Sequence, residues 1–193
     1  MNNYLRLVEK IDRFVGALSR RHPSSFACKP GCTDCCVAGI TVWRVEFDNL
    51  RTHLKAAGGD AIESLTRRSK SSSGRCPLLD DSGRCAVYAE RPVVCRLWGA
   101  PLAFSAGPEA FSVHAPGAER LLRMARNDEG SITCCDNNFR SDIALDELVF
   151  SDIINVETVL NTLAAVNHVY CKEKGLDPEE RLALERSLLT FAI

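Results

Sequence analysis

The stretch that decides the fold is Cys28-Lys29-Pro30-Gly31-Cys32-Thr33-Asp34-Cys35-Cys36, in which four of nine residues are cysteine. Pro30 and Gly31 favour a tight turn, which directs neighbouring sulfur atoms the same way. Thiols that lie so close in the chain are typical of a metal site. The stretch therefore predicts an irregular, cysteine-rich centre around which the regular elements are arranged.

A second group of cysteines lies farther along the chain, at Cys76, Cys85 and Cys95. Between the first two, Asp80-Asp81-Ser82-Gly83 is a turn signal, and the short apolar stretches on either side predict a small β-hairpin. A hairpin whose ends meet would bring Cys76 and Cys85 together. The two groups supply seven thiols, which strengthens the prediction of a metal site.

The number and type of metal centres stay open at this point. Neighbouring residues rarely bind one ion together, so the Cys35-Cys36 pair indicates either two centres or one ligand beside a supporting thiol. Structural zinc takes four tetrahedral ligands, and an iron–sulfur cubane also takes four thiolates. No histidine lies inside either group. An all-sulfur shell is expected, which suits zinc, iron–sulfur or cuprous ions.

Three further cysteines lie outside the two groups. Cys134 and Cys135 occupy what is predicted to be a polar loop, where they either complete a second site or remain partly buried thiols. Cys171 follows His168 by three residues, and we expect it to be a small core residue. The other histidines are expected to be surface or core residues rather than ligands: His22, His53 and His114.

Composition bounds the classes of function. Ten of 193 residues are cysteine and the net charge is −1, which gives no reason to expect a nucleic acid or an anionic membrane as partner. No apolar run approaches the roughly 18 residues of a membrane span. Residues 1–22 have the pattern of an amphipathic helix rather than of a signal peptide. We therefore expect a cytoplasmic, reduced protein whose cysteines bind a metal ion rather than form disulfides. Whether it has a protein partner is unknown from the sequence.

The remaining sequence predicts a mainly α single domain over residues 1–193, with the cysteine-rich metal-binding core at 26–100 and a helical part at 140–193. Helices are expected at 1–21 and 44–57, from Asp60 onward, at 118–126 and through the last third, where Phe150 and Ile153 join a helical period. Asp177-Pro178 is a helix-start signal for a final helix. An apolar patch left exposed over 150–193 would indicate a docking surface for a partner.

Residues around the second group also invite interpretation. Arg84, Arg91 and Arg96 would lower thiol pKa values and offset the negative charge of a thiolate-rich centre. An anion pocket beside the metal is the alternative. Tyr88 and Trp98 are expected to pack over the site and keep water out.

The motifs Cys-x3-Cys-x2-Cys-Cys, Cys76-Pro77, Gly83-Arg84-Cys85, Tyr88, Arg91-Pro92 and Cys95-Arg96 occur in this order. The pattern, which runs from Cys28 to about Trp98, resembles the CxxCxxCC family, also called the YkgJ-type cysteine cluster family and usually described as zinc- or iron-chelating. The resemblance implies these metal-site candidates: Cys28, Cys32, Cys35, Cys36, Cys76, Cys85 and Cys95. The same family includes flagellin lysine N-methylases.

The spacing Cys28-x3-Cys32-x2-Cys35 is also that of the radical S-adenosylmethionine motif. Asp34 stands where that motif usually has an aromatic residue, and the chain lacks the repeated strand–helix units of those enzymes. The leading hypothesis is therefore a metal-binding protein whose cysteine thiolates hold zinc or an iron–sulfur cluster, for example a 4Fe-4S cluster. The alternative is an iron–sulfur enzyme of redox or methyl-transfer type.

Overall fold

Five α-helices and six short strands make up the regular structure of the residues that the computed structural model describes, namely 1–29, 31–71, 74–104, 122–127, 130–135, 137–139 and 148–185. About half of these residues are helical, which agrees with the expected helical content. The helices are α1 (Asn2–Arg21), α2 (Arg44–Ala57), α3 (Gly59–Ser71), α4 (Val93–Leu97) and α5 (Val156–Lys174). The strands are β1 (Thr41–Trp43), β2 (Leu102–Phe104), β3 (Leu122–Asn127), β4 (Gly130–Cys135), β5 (Ile154–Asn155) and β6 (Arg181–Ala183).

Helix α1 confirms the amphipathic pattern of the N-terminal sequence. Tyr4, Ile11 and Leu18 are buried at seven-residue spacing, so one stripe of the helix faces the core. The helix ends just before His22, the residue that precedes Pro23, as the steric restriction on a residue before proline requires. Asp12 of this helix binds Arg96, the residue after Cys95, which ties the helix to the second group of cysteines.

Helices α2 and α3 also lie where the sequence predicts them. Leu50 and Leu54 of α2 are buried in the main hydrophobic core. The helix stops at Gly58, whose φ of +92° is a conformation that only glycine adopts without strain. Helix α3 then begins at Gly59 and runs to Ser71, and residues 72–73 lie outside the described residues.

The strands form two small sheets. Strands β1 and β6 pair antiparallel, with Val42 opposite Leu182, and so join the two halves of the chain. The other sheet has the order β3-β4-β2-β5, in which only the β2–β5 pair is parallel. Both sheets contribute to a common core with the helices.

Three predictions for the second half of the chain are wrong. Residues 122–127, expected within a helix at 118–126, form β3, while 118–121 lie outside the described residues. Cys134 and Cys135, expected in a polar loop, end the buried strand β4. In both cases the antiparallel β3–β4 pairing satisfies the backbone and overrides local propensity.

The third error concerns the final helix expected from Asp177. Its carboxylate instead accepts a hydrogen bond from the Glu179 backbone N–H at 2.9 Å, which makes a turn that leads into β6. The edge of β1 provides the pairing that draws this segment into a strand. Residues 186–193, with Leu188 and Leu189, lie outside the described residues.

Helix α5 begins later than the predicted period suggests. Phe150–Asp152 form a 3₁₀ turn and Ile154 lies in β5, and the α-helix starts only after Asn155, whose side chain accepts a hydrogen bond from Thr158 N–H at 2.8 Å. Phe150 is 91% exposed, so an exposed apolar side chain does occur in this region. No helix in the described part of the chain is both long enough and apolar enough to cross a membrane.

Candidate metal centre

The two cysteine segments are joined backbone to backbone. The Cys76 N–H donates to the Cys36 carbonyl at 3.0 Å, and the Ala38 N–H donates to the Gly74 carbonyl at 3.2 Å. Val37 and Arg75 form an antiparallel bridge between these two contacts. Cys36 and Cys76 are therefore held side by side, although they lie far apart in the sequence.

The predicted hairpin is present as a turn closed by one bridge rather than by two strands. Leu79 pairs with Cys85, and the Ala86 N–H donates to the Leu78 carbonyl at 2.9 Å. Asp80 stabilises the turn, because its carboxylate accepts hydrogen bonds from the Ser82 hydroxyl and from backbone N–H groups, which lower its pKa to about 2. The turn returns the chain so that Cys85 approaches Cys76.

Cys95 comes to the same place on the short helix α4. Glu46, only 2% exposed, accepts from the Val93 N–H and the Trp43 N–H, each at 2.9 Å, and so starts both α4 and α2. Burial raises the pKa of this carboxyl, while the two backbone donors act in the opposite direction. A single buried side chain thus fixes the helix that carries Cys95.

Four cysteines, which we call the inner quartet, converge from three segments: Cys36, Cys76, Cys85 and Cys95. Burial, with smaller contributions from the neighbouring Cys36 and Cys85, raises the pKa of Cys76 to about 12. The pKa of Cys95 lies well above its usual value because of burial and of the other three quartet sulfurs. If these thiols lost their protons, the resulting thiolates would repel one another, and a bound cation would offset that repulsion.

The adjacent thiols of Cys35 and Cys36 differ in their pKa values. A hydrogen bond between the Cys35 and Cys36 side chains raises the pKa of Cys35 and lowers that of Cys36, so Cys36 is the more acidic of the two thiols. The positive charge of Arg75 also lowers the Cys36 pKa. The charges of Cys95 and Cys28 raise the pKa of Cys35 further in the same direction.

Cys28 lies at the other side of the first segment, against the second half of the chain. Its sulfur accepts a hydrogen bond from the buried Asn138 Nδ2 at 3.4 Å. Burial raises the Cys28 pKa, the Asn138 bond lowers it, and the charges of Cys135 and Cys32 raise it. These three cysteines are therefore near neighbours.

Asn138 fixes this arrangement through its whole side chain. Its Oδ1 accepts from the Ala27 N–H at 2.8 Å, and its Nδ2 also donates to the Gly99 carbonyl at 2.5 Å. Gly99 has a φ of +98°, and a Cβ atom there would lie 2.4 Å from the Cys28 Sγ. The close packing of backbone against this sulfur requires glycine.

The residues after β4 dock on the first cysteine segment. The Phe139 N–H donates to the Ser25 carbonyl at 2.7 Å, and Asn137 hydrogen-bonds the Asp34 carboxylate. Cys134 is fully buried, and its thiol donates towards the carbonyls of Cys135 and Asn138 at 3.4 and 3.5 Å. These contacts bring the end of β4, which carries Cys135, to the first cysteine segment. The sequence alone left open whether Cys135 belongs to a metal site.

Only part of the expected arginine shell faces the cysteines. Arg91 lowers the pKa of Cys28 and Cys85, as charge compensation predicts. Arg96 is buried and instead binds the Asp12 carboxylate and the Arg91 carbonyl, which ties α1 to the second segment. Arg84 is largely exposed in the Asp80 turn.

The aromatic residues depart from expectation in part. Trp98 is buried in the core, but Tyr88 is 47% exposed and lies beneath the guanidinium of Arg91, 4.1 Å from the ring centroid. Cys171 is fully buried, with its sulfur 3.6 Å from the Asn167 Oδ1, which confirms it as a core residue. None of the ten cysteines, all of which lie in described parts of the chain, forms a disulfide.

The sulfurs neighbour one another without enclosing a common point. Among the described residues, which include all ten cysteines, no three or more Cys, His, Asp or Glu side chains are placed so that they could hold a metal ion. Thiol side chains rotate about one bond, so a shift of staggered rotamer moves the sulfur without moving the backbone. The donor set is all sulfur, which fits zinc or an iron–sulfur cluster.

Sequence reasoning missed the residues that position the cysteines. Asn138, Glu46 and Gly99 act through contacts that are distant in sequence, and no local pattern identifies them. Arg75 is the exception, because it directly precedes Cys76 and could have been counted with the arginines near the second group.

A comparison with protein-family models supports the resemblance drawn from the cysteine motifs. Residues 27–110, less than half of the chain, match the family model CxxCxxCC, described as "Putative zinc- or iron-chelating domain". The match confirms the resemblance drawn from the cysteine spacing and supports metal binding in general. Comparison with curated proteins and with solved structures gave no match.

Proposed function

We propose that this chain is a metal-binding protein that holds zinc or an iron–sulfur cluster through cysteine thiolates, with the inner quartet as its principal site. The observation that carries the proposal is the backbone joining of the two cysteine segments: the Cys76 N–H bonds the Cys36 carbonyl, and the Leu79–Cys85 bridge turns Cys85 back towards Cys76. Burial and mutual repulsion disfavour four thiolates there unless a cation balances them.

The surrounding residues support this role. Glu46 holds the helix that carries Cys95, and the backbone bond from Cys76 to Cys36 fixes the distance between the two segments. Arg75 and Arg91 offset the negative charge of a thiolate site. A bound zinc would cross-link the segments, whereas an iron–sulfur cluster would add redox or methyl-transfer chemistry and make the chain an enzyme.

The proposal requires reduced cysteines, which fits a cytoplasmic location. If the metal binds only the folded chain, its binding energy stabilises the fold.

Elemental analysis of protein purified without oxygen and without an affinity metal, together with its visible spectrum, tests the proposal. Colourless protein with zinc supports a structural or zinc-handling role. Brown protein with iron and acid-labile sulfide supports the iron–sulfur form, and S-adenosylmethionine binding is then the next assay. Protein that neither contains metal nor takes up added zinc or iron would overturn the proposal.

A pair of variants locates the site. Cys76→Ser is expected to lower both metal content and thermal stability, because it removes a quartet thiolate. Cys171→Ser is the matched control, since Cys171 is equally a cysteine but packs against Asn167 in the core. Its metal content is expected to equal that of the native chain.

A further inference from the structure

We propose that two copies of this chain associate through helix α5, antiparallel about a two-fold axis, so that Phe150 of each copy enters a groove at the far end of α5 on the other copy. The inference concerns a surface for a protein partner, namely a second copy of the chain, and does not depend on the proposed metal binding.

Exposed apolar side chains cluster at the ends of the helix pair α1 and α5. Single exposed apolar residues are ordinary, whereas a group of them marks an interaction surface. Phe150 is almost completely exposed. Among the described residues, six large apolar side chains are exposed, and all except Tyr88 lie at the ends of this pair: Met1, Leu5, Val149, Phe150 and Val169.

The two ends of the helix pair differ in shape. Arg21, the last residue of α1, binds the Asp152 carboxylate at 2.6 Å, so Phe150 lies near this end. At the other end, Val166, Val169 and residues 1–3 line a groove with a volume of about 260 Å³. Benzene binds in an apolar cavity of about 150 Å³, so the groove has room for a phenyl ring. About 20 Å of α5 separates Phe150 from the groove, so Phe150 cannot fill the groove of its own copy.

Between the two ends, α5 presents an uncharged face to solvent. Its exposed residues recur at alternating intervals of three and four, which places them in one straight stripe: Asn155, Thr158, Thr162, Ala165 and Val169. No Asp, Glu, Lys or Arg occurs from Thr158 to Cys171. Depletion of charged residues is typical of the buried core of an interface. Val169 belongs to both the stripe and the groove, so the stripe leads from the Phe150 end to the groove.

The face is complementary to a second copy of itself. In an antiparallel pair of α5 helices centred on residue 160, Phe150 of one copy lies opposite Tyr170 of the other, which lines the groove. Thr158 then lies opposite Thr162, so uncharged residues meet at the centre. A two-fold axis makes this contact twice, once at each end.

Charge and area agree with such a pair. Arg20 and Arg21 lie at the Phe150 end, and Glu173 lines the groove, whereas its neighbours Lys172 and Lys174 are not among the described groove residues. Opposite charges therefore meet at both ends of the pair. The face is about 30 Å long and, with α1 beside α5, about 20 Å wide, or about 600 Å² per copy. This is the lower limit for a specific interface, so we expect a dimer that dissociates in the micromolar range.

Sedimentation velocity of the full chain tests the inference, under reducing conditions that prevent disulfide-linked dimers. The mass of the native chain is expected to rise from that of one copy to that of two as the concentration increases through the micromolar range. Phe150→Ser and Val169→Glu are each expected to weaken association about tenfold or more. Tyr88→Ser is the matched control, since Tyr88 is an exposed aromatic residue near the second group of cysteines. It is expected to associate like the native chain.

A mixture of the two variants tests the reciprocal contact. In a mixed pair, Phe150 of the Val169→Glu copy meets the unchanged groove of the Phe150→Ser copy, so one of the two end contacts is intact. Pairs of either variant alone have no intact end contact. The mixture is therefore expected to associate more strongly than either variant alone.

Several outcomes would overturn the inference. A native chain that stays monomeric at every concentration would do so, as would Phe150→Ser protein that associates as strongly as the native chain. A mixture that associates no more strongly than the separate variants would refute the reciprocal contact. Circular dichroism checks that each variant folds. Thr162→Arg, at an exposed position in the middle of the stripe, is a second test of the face and is expected to abolish association.

Discussion

Substitution of Gly99 by alanine provides a quantitative test of how tightly the backbone packs against the cysteine centre. The added Cβ would lie 2.4 Å from the Cys28 Sγ and 2.9 Å from the Asn138 Nδ2. Both distances are shorter than a carbon tolerates, so the sulfur and the amide must shift. The φ of +98° is itself strained for alanine.

The two costs can be separated with a control. A residue forced into such a backbone region costs about 1–3 kcal/mol, and overpacking of a filled site costs about 1–3 kcal/mol more. Gly58 has nearly the same φ, +92°, but a Cβ there would meet nothing within 4 Å. Gly58→Ala is therefore expected to lose about 1–3 kcal/mol, and Gly99→Ala about 2–6 kcal/mol.

Urea denaturation with linear extrapolation measures both free energies of unfolding. Zinc counting on the same samples is expected to show a lower zinc content in Gly99→Ala alone, because the displaced Cys28 is a candidate ligand. If Gly99→Ala is no less stable than Gly58→Ala and binds zinc normally, the close approach of Gly99 to Cys28 does not constrain the site, and the reasoning is refuted.

Three further substitutions test the supports of the centre. Asn138→Ala is expected to lower the free energy of unfolding by about 2–4 kcal/mol and to weaken zinc binding, because it leaves buried backbone groups unsatisfied. Asn167→Ala is the control: its side-chain amide is similarly buried, so the variant should lose comparable stability while zinc binding stays normal. Glu46→Ala is expected to cost about 2–6 kcal/mol and to reduce zinc at the quartet; normal zinc binding would contradict its role in fixing α4. Asp152→Asn is expected to cost about 1–3 kcal/mol at pH 7. Burial raises the Asp152 pKa, but hydrogen bonds from Arg21 outweigh this and lower it. The stabilisation is therefore present above the unfolded value near 4 and is lost as the pH falls through the folded value. The difference from the native chain should shrink below about pH 4 in urea titrations, and a constant difference would contradict the ion pair.

The first half of the fold follows closely from the sequence. The buried stripe of Tyr4, Ile11 and Leu18 and the stop at Gly58 are local signals, and α1 and α2 begin and end where those signals lie. The errors fall in the second half, at β3 and β6. Both strands form because a partner strand is present, and a pairing partner distant in sequence leaves no periodic mark.

The candidate site, like the fold, could be predicted from the sequence only in part. Spacing alone identified the thiols of the two groups, because turn residues near Cys32 and Cys85 limit where their sulfurs can lie. The assignment of each sulfur to a neighbourhood could not be predicted. It depends on Asn138 and Glu46, which reach the cysteines across the fold rather than along the chain.

The first cysteine segment is fastened at both ends by residues translated much later. Its upstream end meets Phe139 through Ser25, and its downstream end meets β6, where the Leu184 N–H donates to the Ile40 carbonyl at 3.0 Å. A nascent chain that has emerged only through residue 110 already carries every cysteine of the family match but neither fastening. During synthesis, β6 must therefore leave the ribosome before the first cysteine segment can adopt its final conformation. A chain that ends early would lack the contacts from Phe139 and β6, and its thiols would be open to oxidation.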